Sequence, residues 1–137
     1  MNRFHTCLLG LLASPMVMAT TTTSLPAAIE NAFSTYTDLP SVLVPVLQQA
    51  TDKASADNAA KELEKKLPAI YEARQKIRGI PQLTEEQNQQ VQLQYGQRMR
   101  EEWAKMYYEI VRIQRNRCFY SSEMGRVFRL MCMMIEK

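Results

Sequence analysis

Histidine is nearly missing from this chain of 137 residues, and the only one, His5, lies within its first ten positions. Without a later imidazole, a Ser-His-Asp or Cys-His arrangement, a histidine-ligated haem and a His-containing metal site are excluded. Glycine is sparse as well. Gly79, Gly96 and Gly125 stand isolated, so no Gly-rich loop can cradle a phosphate, and neither GxSxG nor CxxC occurs. The acidic pairs Glu85–Glu86 and Glu101–Glu102 are sequence neighbours, and neighbouring side chains on a helix point in different directions. The inventory of the common enzyme classes is therefore absent. We expect a protein that is not an enzyme, carries no cofactor and has no evident small-molecule substrate.

No apolar run approaches the roughly 20 residues that a membrane-spanning helix needs. The run that exists is short and N-terminal: Arg3 supplies positive charge, CLLGLLA (Cys7–Ala13) an apolar core, and Val17-Met18-Ala19 a cleavage site. Residues 1–19 thus read as a secretory signal removed after Ala19, which places the mature chain in the periplasm, the cell envelope or outside the cell. No cysteine sits where a lipid anchor would be attached. Residues 20–24 read as a polar, flexible tether and 25–137 as one helical domain.

A large excess of charge of either sign is also lacking. Without residues 1–19 the net charge is +2, too balanced to point to nucleic acid. From Arg98 to the C-terminus the balance is basic, and Arg112, Arg115 and Arg117 crowd together. Beside Tyr108 they make an Arg and Tyr patch of the kind common both at protein interfaces and on ordinary surface.

What the chain does have is helical periodicity. Leu25, Ile29, Ala32, Phe33 and Tyr36 share one face of a short helix opened by Ser24 and Pro26 and broken by Thr37–Pro40. Leu39, Leu43, Val46, Leu47 and Ala50 share the face of a second, with Pro45 kinking it or holding its start tight. Ser55 and Asp57 open a third. Its inward positions Ala56, Ala60, Leu63, Leu67, Ile70, Arg74 and Ile77 step by 4 and 3, with a bend expected at Pro68 and a cap at Gly79. Thr84 and Gln87 form a capping box, and Met99, Trp103, Met106, Ile110 and Ile113 then line a long helix. The short link from Gly79 to Leu83 turns this helix back on the third as an antiparallel hairpin. After a break at Asn116–Tyr120, Ser121 or Ser122 caps a last helix with Met124, Val127, Phe128, Met131 and Ile135 on one face. The expected fold is all-α: a helical hairpin with short N-terminal helices and a C-terminal helix packed on it.

Six methionines fall in the C-terminal third. Met99, Met106, Met124 and Met131 have core spacing, whereas Met133 and Met134 cannot both face inward and offer an adaptable, polarisable surface. A copper(I) site of thioethers is the alternative use of such residues. Cys118 and Cys132 can form an intramolecular disulfide, stay as thiols or link two chains. The residues singled out for partner binding are Tyr108, Arg112, Arg115, Arg117, Met133 and Met134, with another protein or a second copy as partner. Attachment to a membrane surface through the last helix, where Arg126 and Arg129 flank Phe128, is a further alternative.

Two resemblances add to this. TDKASADNAAKEL (Thr51–Leu63), LTEEQ…QYGQRMREE (Leu83–Glu102) and EIVRIQRNRCFYSSEM (Glu109–Met124) together resemble a family of small exported bacterial helical proteins with no assigned activity. That resemblance implies a helical fold and no function. Leu83, Thr84 and Gln87 are similar to the LTxxQ segment of the Spy-like periplasmic chaperones, which implies ATP-independent holding of unfolded clients.

Overall fold

The computed structural model describes residues 24–136, apart from the side chains of 135 and 136; the expected signal, its expected cleavage site and most of the expected tether lie outside the described residues. Among the described residues there is no strand. The helices are α1 (Ala27–Gln48), α2 (Lys53–Arg78), α3 (Glu85–Val91) and α4 (Gln97–Arg115), with α3 and α4 joined by a π-turn (Gln92–Gly96). A 3-10 turn (Arg117–Tyr120) then leads into α5 (Ser122–Glu136).

The expected pair of short N-terminal helices is one continuous helix, with Pro40 and Pro45 inside it. Proline at position 40 has no N–H for the carbonyl of Tyr36, four residues back, and an orphaned carbonyl in a part-buried setting ordinarily ends a helix. Here the indole Nε1 of Trp103 donates to Tyr36 O at 3.2 Å, and the two rings stack with centroids 4.5 Å apart. A donor from another helix replaces the missing one. At the start of α1 the cap is Pro26, whose carbonyl accepts from the amides of Ile29 and Glu30, so Ser24 does not serve as the cap.

Helix α2 starts three residues before the expected first turn, because Asp52 is the N-cap. Its carboxylate accepts from Ser55 N at 2.8 Å, and Ser55 Oγ accepts from Asp52 N at 3.0 Å. These are reciprocal bonds that satisfy two amides with no partner inside the helix. The helix runs on through Pro68 and ends at Gly79. Every expected inward residue of α2 is buried except Arg74, which is half-buried. The Thr84–Gln87 capping box forms as expected, at 3.0 and 3.2 Å. Leu83 packs beside Ile80 against Leu25, Ile29 and Val91.

Pairings along the helices fix their directions. Phe33 meets Tyr95, Tyr36 meets Trp103, and Leu47 meets Arg112, so α1 runs parallel to α3–α4. Asp57 meets Ser121 and Glu64 meets Arg126, so α2 runs parallel to α5. The short link from Gln49 to Asp52 sets α1 and α2 antiparallel. The hairpin at the centre of the fold is therefore α1–α2, and the lateral order is α4–α1–α2–α5. The return of α4 antiparallel to α2 is as expected, but α1 is its packing partner. One core joins Leu43 and Leu47 of α1, Leu63 and Ile70 of α2, Met106 and Ile113 of α4, and Met124, Val127, Phe128 and Met131 of α5. No helix among the described residues is long and apolar enough to cross a membrane.

Candidate functional site

The end of the bundle where α1 and α4 finish and α2 and α5 begin holds most of the polar side chains singled out from the sequence. Helix α1 reaches it without a glycine or asparagine cap; the amides of Gln49 and Ala50 turn back to Val46 O and Leu47 O at 3.2 Å, and further donors to this end must come from elsewhere. Arg112 supplies them. Nη1 donates to Ala50 O at 2.7 Å and Nη2 to Leu47 O at 3.0 Å, while Nε donates to Glu109 Oε2 at 2.7 Å. A guanidinium suits the task because its charge also complements the negative end of the α1 dipole. Glu109 is itself buried, and Arg112 lies over the Phe119 ring at 5.8 Å. Arg112, expected on the surface, is a structural hub with a quarter of its side chain exposed.

The next segment reverses the chain by an unusual route. Arg117, Cys118, Phe119 and Tyr120 all have positive φ, at 52°, 53°, 51° and 59°. This is one turn of left-handed helix built without glycine, at a cost of roughly 1–2 kcal/mol per residue. It is held by tertiary contacts: Phe119 under Arg112, Cys118 against the core, and Ser121 at the start of α5. Ser121 Oγ accepts from Met124 N at 3.0 Å, which makes Ser121 the cap of α5, and donates to Asp57 Oδ1 at 2.6 Å. That bond, with Lys53 at 2.9 Å, holds the Asp57 carboxyl below the usual carboxylate range.

The turn leaves Tyr120 74% exposed and, with Asp52, Lys53, Arg115, Asn116, Arg117 and Phe119, lines a shallow depression of about 410 Å³. Arg115 and Arg117 are exposed, and Tyr107 and Tyr108 are 69% and 67% exposed on α4. Tyr108 and Arg115 are seven residues apart and share a face. Met133 and Met134 do not join this group. They lie about 16 Å along α5 from its start, Met133 exposed and Met134 packed against the core. Met106, Met124 and Met131 are buried core and Met99 is half-buried.

Cys118 and Cys132 are free, the first half-buried and the second exposed. Burial pushes the Cys118 thiol up, away from the reactive thiolate. Of the residues suggested for a membrane face, Phe128 is buried, and Arg126 pairs with Glu64 at 2.9 and 3.0 Å and with Glu123 at 2.9 Å. Among the described residues no three His, Cys, Asp or Glu side chains gather where they could hold a metal ion.

Sequence reasoning offered Ser121 only as a cap of the last helix; it missed the Ser121–Asp57 bond, the seat of Phe119 under Arg112, and Glu109 as parts of this end. Only the absence of a C-cap glycine after Gln48 hinted that a cation from another helix would be needed there. Comparison of the chain with protein-family models, with curated proteins and with solved structures finds no match.

Proposed function

We propose that this is a non-enzymatic interaction protein of the cell envelope, exported by its N-terminal segment, and that it binds a protein partner through the Tyr108, Arg115, Arg117 and Tyr120 end. The observation that carries the reading is that strongly exposed Tyr120 lines one depression with exposed Arg115 and Arg117, while exposed Tyr108 stands two turns back on the Arg115 face of α4. Tyrosine and arginine anchors give large contact area and donor capacity at low ordering cost. The anchors here stand on a frame fixed by Arg112 and Ser121, so little order must be gained on binding.

A photo-cross-linking amino acid placed at 108 or 120 in growing cells tests this, with position 71 as control. Tyr71 is 52% exposed on α2. The expected result is one discrete adduct from 108 and 120 and none from 71. Uniformly weak labelling at all three positions would count against the proposal. A holdase activity is the second reading, supported by Leu93 at 80% and Met133 at 52% exposure. It requires suppression of light scattering by an unfolded client near equimolar ratio without ATP, which a dedicated interaction module does not give.

A further inference from the structure

The left-handed turn conflicts with its own sequence. Asn116 to Ser122 contains no glycine and no proline, and α-helix flanks it on both sides. Nothing local prevents these residues from continuing α4 straight into α5 as right-handed helix. What enforces the reversal is the seat of α5 on α2: the Ser121–Asp57 bond, the Arg126–Glu64 pair, and the burial of Val127, Phe128 and Met131. Helix α5 packs on α2 and on the turn, and it has no comparable packing on α4. Its seat therefore does not depend on belonging to the same chain as α2.

We infer that α5 is exchanged between two copies of this protein. The turn relaxes to right-handed helix, α4 and α5 fuse into one helix from Gln97 to Glu136, and α5 docks on α2 of a second chain. The directions are consistent with closure. In one chain α4 is antiparallel to α2, and α5 is parallel to the α2 on which it sits. A straight α4–α5 helix therefore makes the two α2 helices antiparallel, as a two-fold axis requires. The exchanged dimer keeps every α5–α2 contact of the single chain and removes the strain of four left-handed residues. The inference rests on backbone conformation and packing rather than on a partner at the Tyr108 end, although relaxing the turn moves Arg117 and Tyr120 of that end.

The test mixes isotope-labelled and unlabelled full-length chains, unfolded and refolded together. Light scattering is expected to show a dimer fraction that rises with concentration. Isotope-filtered nuclear Overhauser effects are expected to link Val127 and Met131 methyls of one chain to Leu63 and Ile70 of another. Tyr120 is exposed, so its substitutions act chiefly through the backbone. Tyr120→Gly accepts positive φ and weakens a straight helix, and is expected to lower the dimer association constant by about tenfold or more. Tyr120→Ala, which favours right-handed helix, is expected to maintain or raise it. A strictly monomeric protein, a dimer lacking those interchain contacts, or equal association of the glycine and alanine variants would each overturn the exchange.

Discussion

Arg112 and Trp103 show how one helix can complete another. Both stand on α4 and both donate to carbonyls of α1, Trp103 at the gap left by Pro40 and Arg112 at the uncapped end. Arg112→Met leaves Ala50 O and the buried Glu109 carboxylate without their donor and takes from Leu47 O the donor it has besides the Ala50 amide. We expect a loss of roughly 3–5 kcal/mol, the range for removing one partner of a buried ion pair. Arg112→Lys recovers only part of it, because an ammonium cannot span two carbonyls and a carboxylate at once. Adding Glu109→Gln to Arg112→Met is expected to cost less than the sum of the two changes; strict additivity in urea unfolding would show that the pair is not coupled. Trp103→Phe keeps the ring against Tyr36 but removes the indole donor. Its expected cost is about 1–3 kcal/mol, that of a desolvated carbonyl left unpaired. A change of a few tenths would mean that water serves the Tyr36 carbonyl as well as Trp103 does.

At the scale of elements, the faces of the helices were legible from spacing and their partners were not. The 4 and 3 steps of α2 and α4 mark the inward faces, with Met106 and Ile113 of α4 buried and Met99, Trp103 and Ile110 half-buried, since the facing side follows from the 3.6-residue period. A stripe does not say which neighbour covers it, however, and α1 rather than α2 covers α4. The continuity of α1 through Pro40 was hidden because the compensating donor lies 67 residues away in the sequence. The left-handed turn was hidden because no glycine marks it. The π-turn did leave a trace. Val91, Tyr95, Met99 and Trp103 step by 4, 4 and 4, and each such step overshoots an α-helical face by about 40°. One wider turn at Gln92–Gly96 takes up that drift and keeps Val91, Met99 and Trp103 turned inward. Gly96 is not needed for backbone freedom, as its φ is −57°. A β-carbon there would meet Gln92 Oε1 at 2.6 Å, the end of a flexible side chain that can move aside. Gly96→Ala is therefore expected to stabilise the fold by roughly 0.5–1 kcal/mol through helix propensity. A lower melting temperature for the variant would show that the π-turn cannot adjust to the added methyl group.

Across the whole molecule, the Arg112 hub ties α4 to the end of α1, and α1 packs on α2, whereas α5 is attached through α2 and a strained turn. The polar part of that attachment depends on two carboxylates of α2. The Ser121 hydroxyl and then Lys53 hold Asp57 below the usual carboxylate range, and Arg126 does the same for Glu64. A carboxyl whose folded pKa lies below its unfolded value contributes stability that is complete above the unfolded pKa and lost as pH falls through the folded one. The contribution of these two groups is thus intact at neutral pH and fades below about pH 4, the ordinary carboxylate range. Detachment of α5 under acid is therefore expected ahead of unfolding of the rest. Methyl resonances of Val127 and Met131 should shift toward unfolded positions while those of Leu43 and Ile113 keep theirs. Ser121→Ala removes both the cap of α5 and the first cause of the Asp57 shift. It should expose α5 already at neutral pH and flatten the remaining acid dependence. Simultaneous loss of all four sets of resonances in one transition would show instead that the burial of Phe128 and Met131 binds α5 as tightly to the bundle as its polar contacts do.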